Sequence, residues 1–249
     1  MKLTRERMLA EMGITPLWKQ RSAQIGEAAR PAGENPPPEP VAGGATAPAG
    51  GDIAALGWEG LQERVAVCRA CVLGEHRKQA VLGVGDRRPE WLFIGEGPGA
   101  EEDVQGEPFV GQAGKLLDAM LAAIDLKRGD KVYIANAVKC RPPGNRTPEA
   151  EEMAACWPYL RRQIALLQPR IIVLLGRAAV HTVLKSDKAL SALRGKPYDF
   201  SGIPVVVTYH PAYLLRNLPE KAKAWEDLLF ARALLRQAAD RGAPLDLAG

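Results

Sequence analysis

An α/β fold is predicted here: a three-layer α/β/α sandwich on a central, mostly parallel four-stranded sheet. Three observations predict it. Four short apolar runs, Trp91-Leu92-Phe93-Ile94, Lys131-Val132-Tyr133-Ile134-Ala135, Ile171-Ile172-Val173-Leu174-Leu175 and Pro204-Val205-Val206-Val207-Thr208, read as buried strands. Helical stretches separate them, at about 111–124, 148–167, 177–185 and 219–240. Apolar strands alternating with amphipathic helices build a parallel sheet covered on both faces. Three of the strands also run into unusual polar segments, and ligands of such sheets bind beyond the carboxyl ends of the strands.

In chain order, residues 1–26 come first. Met8, Leu9, Met12, Ile14 and Leu17-Trp18 recur among charges, as in one amphipathic helix with a hydrophobic tail. Residues 27–52 hold six prolines, five glycines and seven alanines without an aromatic residue. That composition cannot offset its ordering entropy, so it predicts a disordered linker. The tethered segment either packs back on the domain or docks on a partner protein. Its string Met12-Gly13-Ile14-Thr15-Pro16-Leu17-Trp18 with Arg21 resembles the N-terminal segment of the psi subunit of the bacterial replicative polymerase, which implies a replication-machinery partner. Residues 53–249 form the main domain.

Bulk properties bound the rest. A chain of 249 residues, 47% hydrophobic, suffices for one core-bearing domain plus an appendage. Its longest apolar runs are far too short to span a bilayer, which predicts no membrane partner. A net charge of +4 is compatible with a nucleic-acid enzyme that has one basic face, but many other proteins share it.

The four cysteines carry more information. Cys68 and Cys71 form a C-x2-C pair; Cys140 and Cys156 follow 68 intervening residues later as C-x15-C. Four thiolates from two distant segments can close a shell around one inorganic centre, an iron–sulfur cluster or a structural zinc. Two disulfides would need an oxidising compartment. The opening Met1-Lys2-Leu3-Thr4-Arg5-Glu6 has no apolar signal-peptide core, so a cytoplasmic setting is expected.

The chemistry gathers at the strand ends. Strand Trp91–Ile94 runs into Gly95-Glu96-Gly97-Pro98-Gly99-Ala100-Glu101-Glu102-Asp103, strand Val132–Ala135 ends at Asn136, and strand Val205–Thr208 ends at Tyr209-His210-Pro211. A carboxylate loop, an amide and an imidazole thus reach one rim. Singly, each has a plain alternative. The glycine loop can be a tight turn, and it matches neither the G-x-G-x-x-G nor the G-x4-G-K-S/T spacing. The Asn can bond backbone, and the His before Pro can be structural. His76 and His181 have no comparable setting.

Together these residues match a family. Gly95-Glu96-Gly97-Pro98-Gly99 with Glu102-Asp103, Gly106 and Pro108-Phe109-Val110-Gly111-Gln112-Ala113-Gly114-Lys115-Leu116-Leu117 resembles the first motif of family-4 uracil-DNA glycosylases. Asn136-Ala137-Val138-Lys139-Cys140-Arg141-Pro142-Pro143 with Asn145-Arg146-Thr147-Pro148 continues it, and His210-Pro211-Ala212-Tyr213-Leu214-Leu215-Arg216 resembles the second motif. The resemblance covers about residues 60–240. It implies a monofunctional, monomeric repair enzyme that flips uracil out of single- or double-stranded DNA and hydrolyses its N-glycosidic bond. It also makes Cys68, Cys71, Cys140 and Cys156 the expected ligands of a [4Fe–4S] cluster.

Site roles follow from the resemblance and the chemistry. Gly95, Gly97, Pro98 and Gly99 shape the substrate loop, whose backbone N–H groups can assist. Phe109 stacks on the base, Asn136 reads its N3–O4 edge, and neutral His210 donates to O2 as negative charge gathers there. Family-1 enzymes carry an Asp where this chain has Gly97, and exclude thymine with a Tyr where this chain has Gly99. The absence of that Asp shifts the burden to Glu96, Glu101, Glu102 or leaving-group stabilisation; of these, Glu96 is the one expected to position the water, and Glu102 is expected to wall the pocket against the thymine methyl. Leu214, Leu215 and Arg216 are expected to wedge the duplex and touch phosphate. Arg141, Arg146 and Lys139 are expected to meet DNA phosphates beside a cluster ligand. Two alternatives stay open: a covalent uracil-DNA-capturing relative, which would need a nucleophilic His that the 141–147 loop lacks, and a non-catalytic DNA-binding module held by zinc.

Overall fold

A computed structural model describes residues 52–241. The segment expected at 1–26 and the linker expected at 27–52 lie outside the described residues, Asp52 excepted. The elements run α1 (Trp58–Ala66), α2 (Leu73–His76), β1 (Val84–Gly85), β2 (Trp91–Gly95), α3 (Ala100–Gln105), α4 (Gln112–Ala122), β3 (Val132–Asn136) and α5 (Ala150–Leu167). Then follow β4 (Ile171–Leu175), α6 (Arg177–Leu184), α7 (Leu190–Leu193), β5 (Tyr198–Phe200), β6 (Ile203–Thr208), α8 (Pro211–Arg216) and α9 (Lys221–Arg241).

The strands pair in the order β1-β3-β2-β4-β6-β5. The four inner strands are the four the sequence predicts, and they are parallel. The expectation of four strands falls short by the two antiparallel edges, β1 and β5. Neither edge bears an apolar run. β1 is two residues long, with Gly85 at φ +134°. β5 is part-exposed and returns into β6 through Ser201 and Gly202, both at positive φ, a two-residue turn that suits strand twist.

Side chains alternate along each inner strand between two cores. Trp91, Phe93, Ile171, Val173 and Val206 pack with Leu117 and Leu121 of α4 and Leu228 and Leu235 of α9. Leu92, Ile94, Ile172, Leu174, Val205 and Val207 pack with Leu160 and Ile164 of α5 and Val180 and Val183 of α6. The sheet is thus covered on both faces, as expected. A third cluster lies apart from these two: Leu61 and Val65 of α1, Leu73 of α2, and Met153 and Tyr159 of α5 enclose Cys140 and Cys156.

Register brings the strand ends to one rim. Gly95 stands opposite Asn136, and Leu175 opposite Thr208. After β2 the chain moves to the α4 face; after its neighbour β4 it moves to the α6 face. The two connections part between adjacent carboxyl ends, which opens a crevice where such sheets bind ligands.

Candidate active site

That crevice is a cleft of about 1260 Å³. Glu96, Gly97, Pro98, Gly99 and Glu102 line it from the β2 side, Asn136 from β3, and His210 and Arg216 from β6 and α8. Phe109 enters from the strap before α4. The loop, amide and imidazole inferred from sequence therefore share one space.

Asn136 is 1% exposed, and its amide Oδ1 has no hydrogen-bond partner. An unpaired buried acceptor costs about 1–3 kcal/mol, so its place beside a cleft points to a ligand donor. Glycine at 95 is required by this packing. A Cβ there would stand 2.5 Å from both Asn136 Oδ1 and Phe109 Cζ. Gly95 thus acts from beneath the amide and the ring rather than as part of the lining.

His210 caps α8, with Pro211 as the first helical residue. Its Nδ1 accepts from the Ala212 N–H at 3.2 Å, so the neutral ring carries its proton on Nε2. Burial lowers its pKa to about 4, helped by the Arg216 charge and opposed by Glu102. The Phe109 ring lies 5.4 Å from the imidazole, with the planes 30° apart.

The two carboxylates of the loop have different surroundings. Glu102 Oε2 accepts from Gly99 N–H at 3.0 Å, and its Oε1 accepts from Val110 and Gly111 N–H at 3.0 and 3.1 Å. The Gly99 amide expected to help bind substrate is therefore committed to Glu102. Burial raises the Glu96 pKa, partly opposed by a hydrogen bond with the Thr147 side chain. The glycines of the loop are tightly packed: a Cβ at Gly97 would meet Val138 Cγ2 at 2.8 Å, and one at Gly99 would meet Glu102 Oε2 at 2.7 Å.

Some expected DNA contacts are elsewhere. Leu214 is 1% exposed and packs with Tyr209 and Ala224, so it anchors α8 and cannot enter a duplex. Its neighbours Tyr213 and Leu215 are the exposed ones. Lys139 is 1% exposed, so it meets no phosphate; its Nζ donates to the Asn136 carbonyl at 3.0 Å, and burial lowers its pKa to about 8. Arg146 lines the cleft, but its guanidinium grips Glu152 through contacts of 2.9 and 2.7 Å, which braces the loop. Arg141 lies outside the cleft lining, and its Nε donates to Asn145 Oδ1 at 2.7 Å.

The cysteines from the two segments converge. All four line one small pocket with Val65, Arg77 and Tyr159. Several donors face the sulfurs. Arg77 donates to Cys140 Sγ at 2.9 Å, Lys139 N–H to Cys156 Sγ at 3.3 Å and Ala70 N–H to Cys68 Sγ at 3.5 Å. Burial raises the thiol pKa of Cys71 and Cys140, and that of Cys156 to about 12. Thiolates so enclosed need a cationic centre among them, and N–H···S donors suit such a centre. Among the described residues, no group of three or more His, Cys, Asp or Glu is already drawn together closely enough to hold a metal ion.

The profile of the Uracil DNA glycosylase superfamily matches residues 82–229. A type-4 uracil-DNA glycosylase of Thermotoga maritima is 43% identical over 181 residues, 71% of this chain and 94% of that protein. The chain belongs to this family. The type-4 enzyme of Sulfurisphaera tokodaii is 44% identical over 68% of this chain and 80% of its own length. That of Archaeoglobus fulgidus is 45% identical over 59% and 78%. Membership favours neither the capture protein nor the zinc-held module.

Sequence reasoning missed several parts of the site. Thr147 has no role that the sequence alone suggests, yet its side chain bonds Glu96. His181 also lines the cleft, its Nδ1 2.7 Å from Asp187. Arg77 and Arg128 reach the cysteines and the Phe109 strap across long sequence separations. No local pattern marks such reach. Among the described residues, no helix is long and apolar enough to cross a membrane.

Proposed function

We propose that this chain is a monofunctional repair glycosylase that flips uracil out of DNA and hydrolyses its N-glycosidic bond. It releases free uracil and leaves an abasic site. The glycosidic bond is inaccessible in a stacked duplex, so the nucleotide must leave the stack for the cleft. One observation carries the reading: an imidazole held neutral with its proton on Nε2 shares a cleft with a buried amide whose oxygen lacks a partner.

Each group then has a task. Phe109 offers its face to the base. Asn136 accepts from N3–H through Oδ1 and donates to O4 through Nδ2. As the bond breaks, negative charge grows on O2, and His210 Nε2–H donates to it without a proton having to be transferred. Glu96 positions water for the electron-poor sugar carbon; its carboxylate also offsets the positive charge there. Glu102 fills the space that a side chain at position 99 would need, which favours it as the wall against a thymine methyl. Leu215, 41% exposed, is the wedge, and Arg216 at the cleft edge meets phosphate.

Cys68, Cys71, Cys140 and Cys156 would hold a [4Fe–4S] cluster. Its chemistry here is structural, since glycosyl hydrolysis transfers no electrons. It would tie the α1–α2 segment to the β3–α5 loop through Cys140 and to α5 itself through Cys156. Four thiolates with N–H···S bonds could equally hold a structural zinc, and absorbance near 400 nm in the purified protein distinguishes the cluster from the ion. Residues 1–26 are assigned to docking on a protein of the replication machinery, which truncation and a pulldown from cell extract would test.

The deciding experiment incubates the purified protein with uracil-containing oligonucleotides, then cleaves abasic sites with alkali. Cleavage at uracil and not at thymine is expected. An intact strand after incubation with protein that absorbs near 400 nm would refute the proposal.

A further inference from the structure

We propose that Arg128, oriented by Asp118, is the positioning residue that holds Phe109 in its base-stacking pose. The inference rests on the reading of Phe109 as the stacking surface and deepens it. Phe109 has φ +56°, in the left-handed region that a bulky side chain rarely adopts. Such a conformation persists only where its surroundings over-determine it. The surroundings here grip both flanking peptides. Arg128 Nη1 donates to the Pro108 carbonyl and Nη2 to the Phe109 carbonyl, each at 2.8 Å. On the following side, Glu102 Oε1 accepts from Val110 and Gly111 N–H.

The grip on the carbonyls is itself fixed. Asp118, on α4, accepts from Arg128 Nε at 3.1 Å and from Nη2 at 2.9 Å, which sets the plane of the fork. Helix α4 comes so close beneath the strap that a Cβ on Gly114 would lie 1.8 Å from the Phe109 oxygen. Position 114 must therefore be glycine for the carbonyls to face Arg128. Arg128 does not line the cleft. Its influence on substrate has to pass through the strap, and Lys could not reproduce a planar fork that spans two carbonyls and a carboxylate.

A double-mutant cycle in the full-length protein tests this, read as single-turnover uracil release. Arg128→Ala should slow release on the order of ten- to a hundredfold, the scale set by misplacing a positioning group. Arg128→Lys should not restore the rate. In a Phe109→Ala background, the further change Arg128→Ala should alter the rate less than about threefold, because partners that act as a unit are non-additive. Asp118→Asn, a milder change, should show a smaller loss that also vanishes in that background. Circular dichroism melts confirm that each variant is folded. Equal losses from Arg128→Ala, or from Asp118→Asn, with and without Phe109 would overturn the proposal. A wild-type rate for Phe109→Ala alone would instead refute the stacking reading beneath it.

Discussion

His210→Ala should slow uracil release by about 10²–10³, the range for losing one preorganised oxyanion donor. The structure separates two contributions of this side chain. Nδ1 caps α8 through Ala212 N–H, while Nε2–H is left for the cleft. The cap is worth about 0.5–2 kcal/mol of stability and acts on melting temperature. The donor acts on the transition state and should leave binding of an uncleavable uracil analogue nearly unchanged. His210→Asn can still cap through Oδ1, so it should recover stability while recovering little of the rate. Single-turnover excision, analogue binding and thermal melts together resolve these outcomes. Excision by His210→Ala within twofold of wild type would refute the oxyanion role.

The pH dependence sharpens the test. With its pKa at about 4, His210 stays neutral throughout the neutral range, so no limb in rate should appear near the ordinary imidazole value of about 6.5. A limb there that His210→Asn abolishes would refute the neutral donor. For stability, the folded pKa lies below the unfolded one. The contribution of His210 is therefore present above pH of about 6.5 and lost as pH falls towards 4.

Other expectations follow from the same geometry. Glu96→Gln should lower the rate and raise the melting temperature: burial raises this carboxyl's pKa, so the ionised side chain opposes folding at neutral pH. The acid limb of the wild-type profile should sit above the ordinary carboxylate range and flatten in that variant, whereas an unchanged limb would exclude Glu96 as its source. Asn136→Asp should impair uracil excision, because a carboxylate cannot donate to O4; undiminished excision would show that Asn136 does not read the base. Cys140→Ala should lose absorbance near 400 nm and iron, and full iron content would remove Cys140 from the ligand set.

The inner sheet was legible in sequence because each of its strands is a continuous apolar run, buried throughout in β2, β3 and β4. The edges were not, since β1 and β5 are short and part-exposed. The rim residues Glu96, Asn136 and His210 could be found because each stands at the end of a strand or within two residues past it. Leu214 and Lys139 were misread for one reason: side-chain direction on a short helix or in a loop is set by tertiary packing. Leu214 turns into the core beside Tyr209, and Lys139 turns inward to the Asn136 carbonyl. Arg128 was invisible because its partners lie 10 to 20 residues away in sequence.

The two carboxylates at 96 and 102 show how the loop divides its chemistry. The chain offers them as similar acids six positions apart. Packing gives Glu102 three backbone donors, which fix it as a clamp between α3 and the Phe109 strap. Glu96 has the Thr147 side chain as its hydrogen-bonding partner and a buried setting that disfavours its charge. A second anion at 97 would be opposed by packing, because a Cβ there would press on Val138 Cγ2 at 2.8 Å and force it to shift. On the proposed reading, the carboxylate that positions water for the electron-poor sugar is one whose charge burial disfavours. On that reading more of the transition-state stabilisation falls on the leaving group, for which His210 keeps a neutral ring with Nε2–H as its free donor.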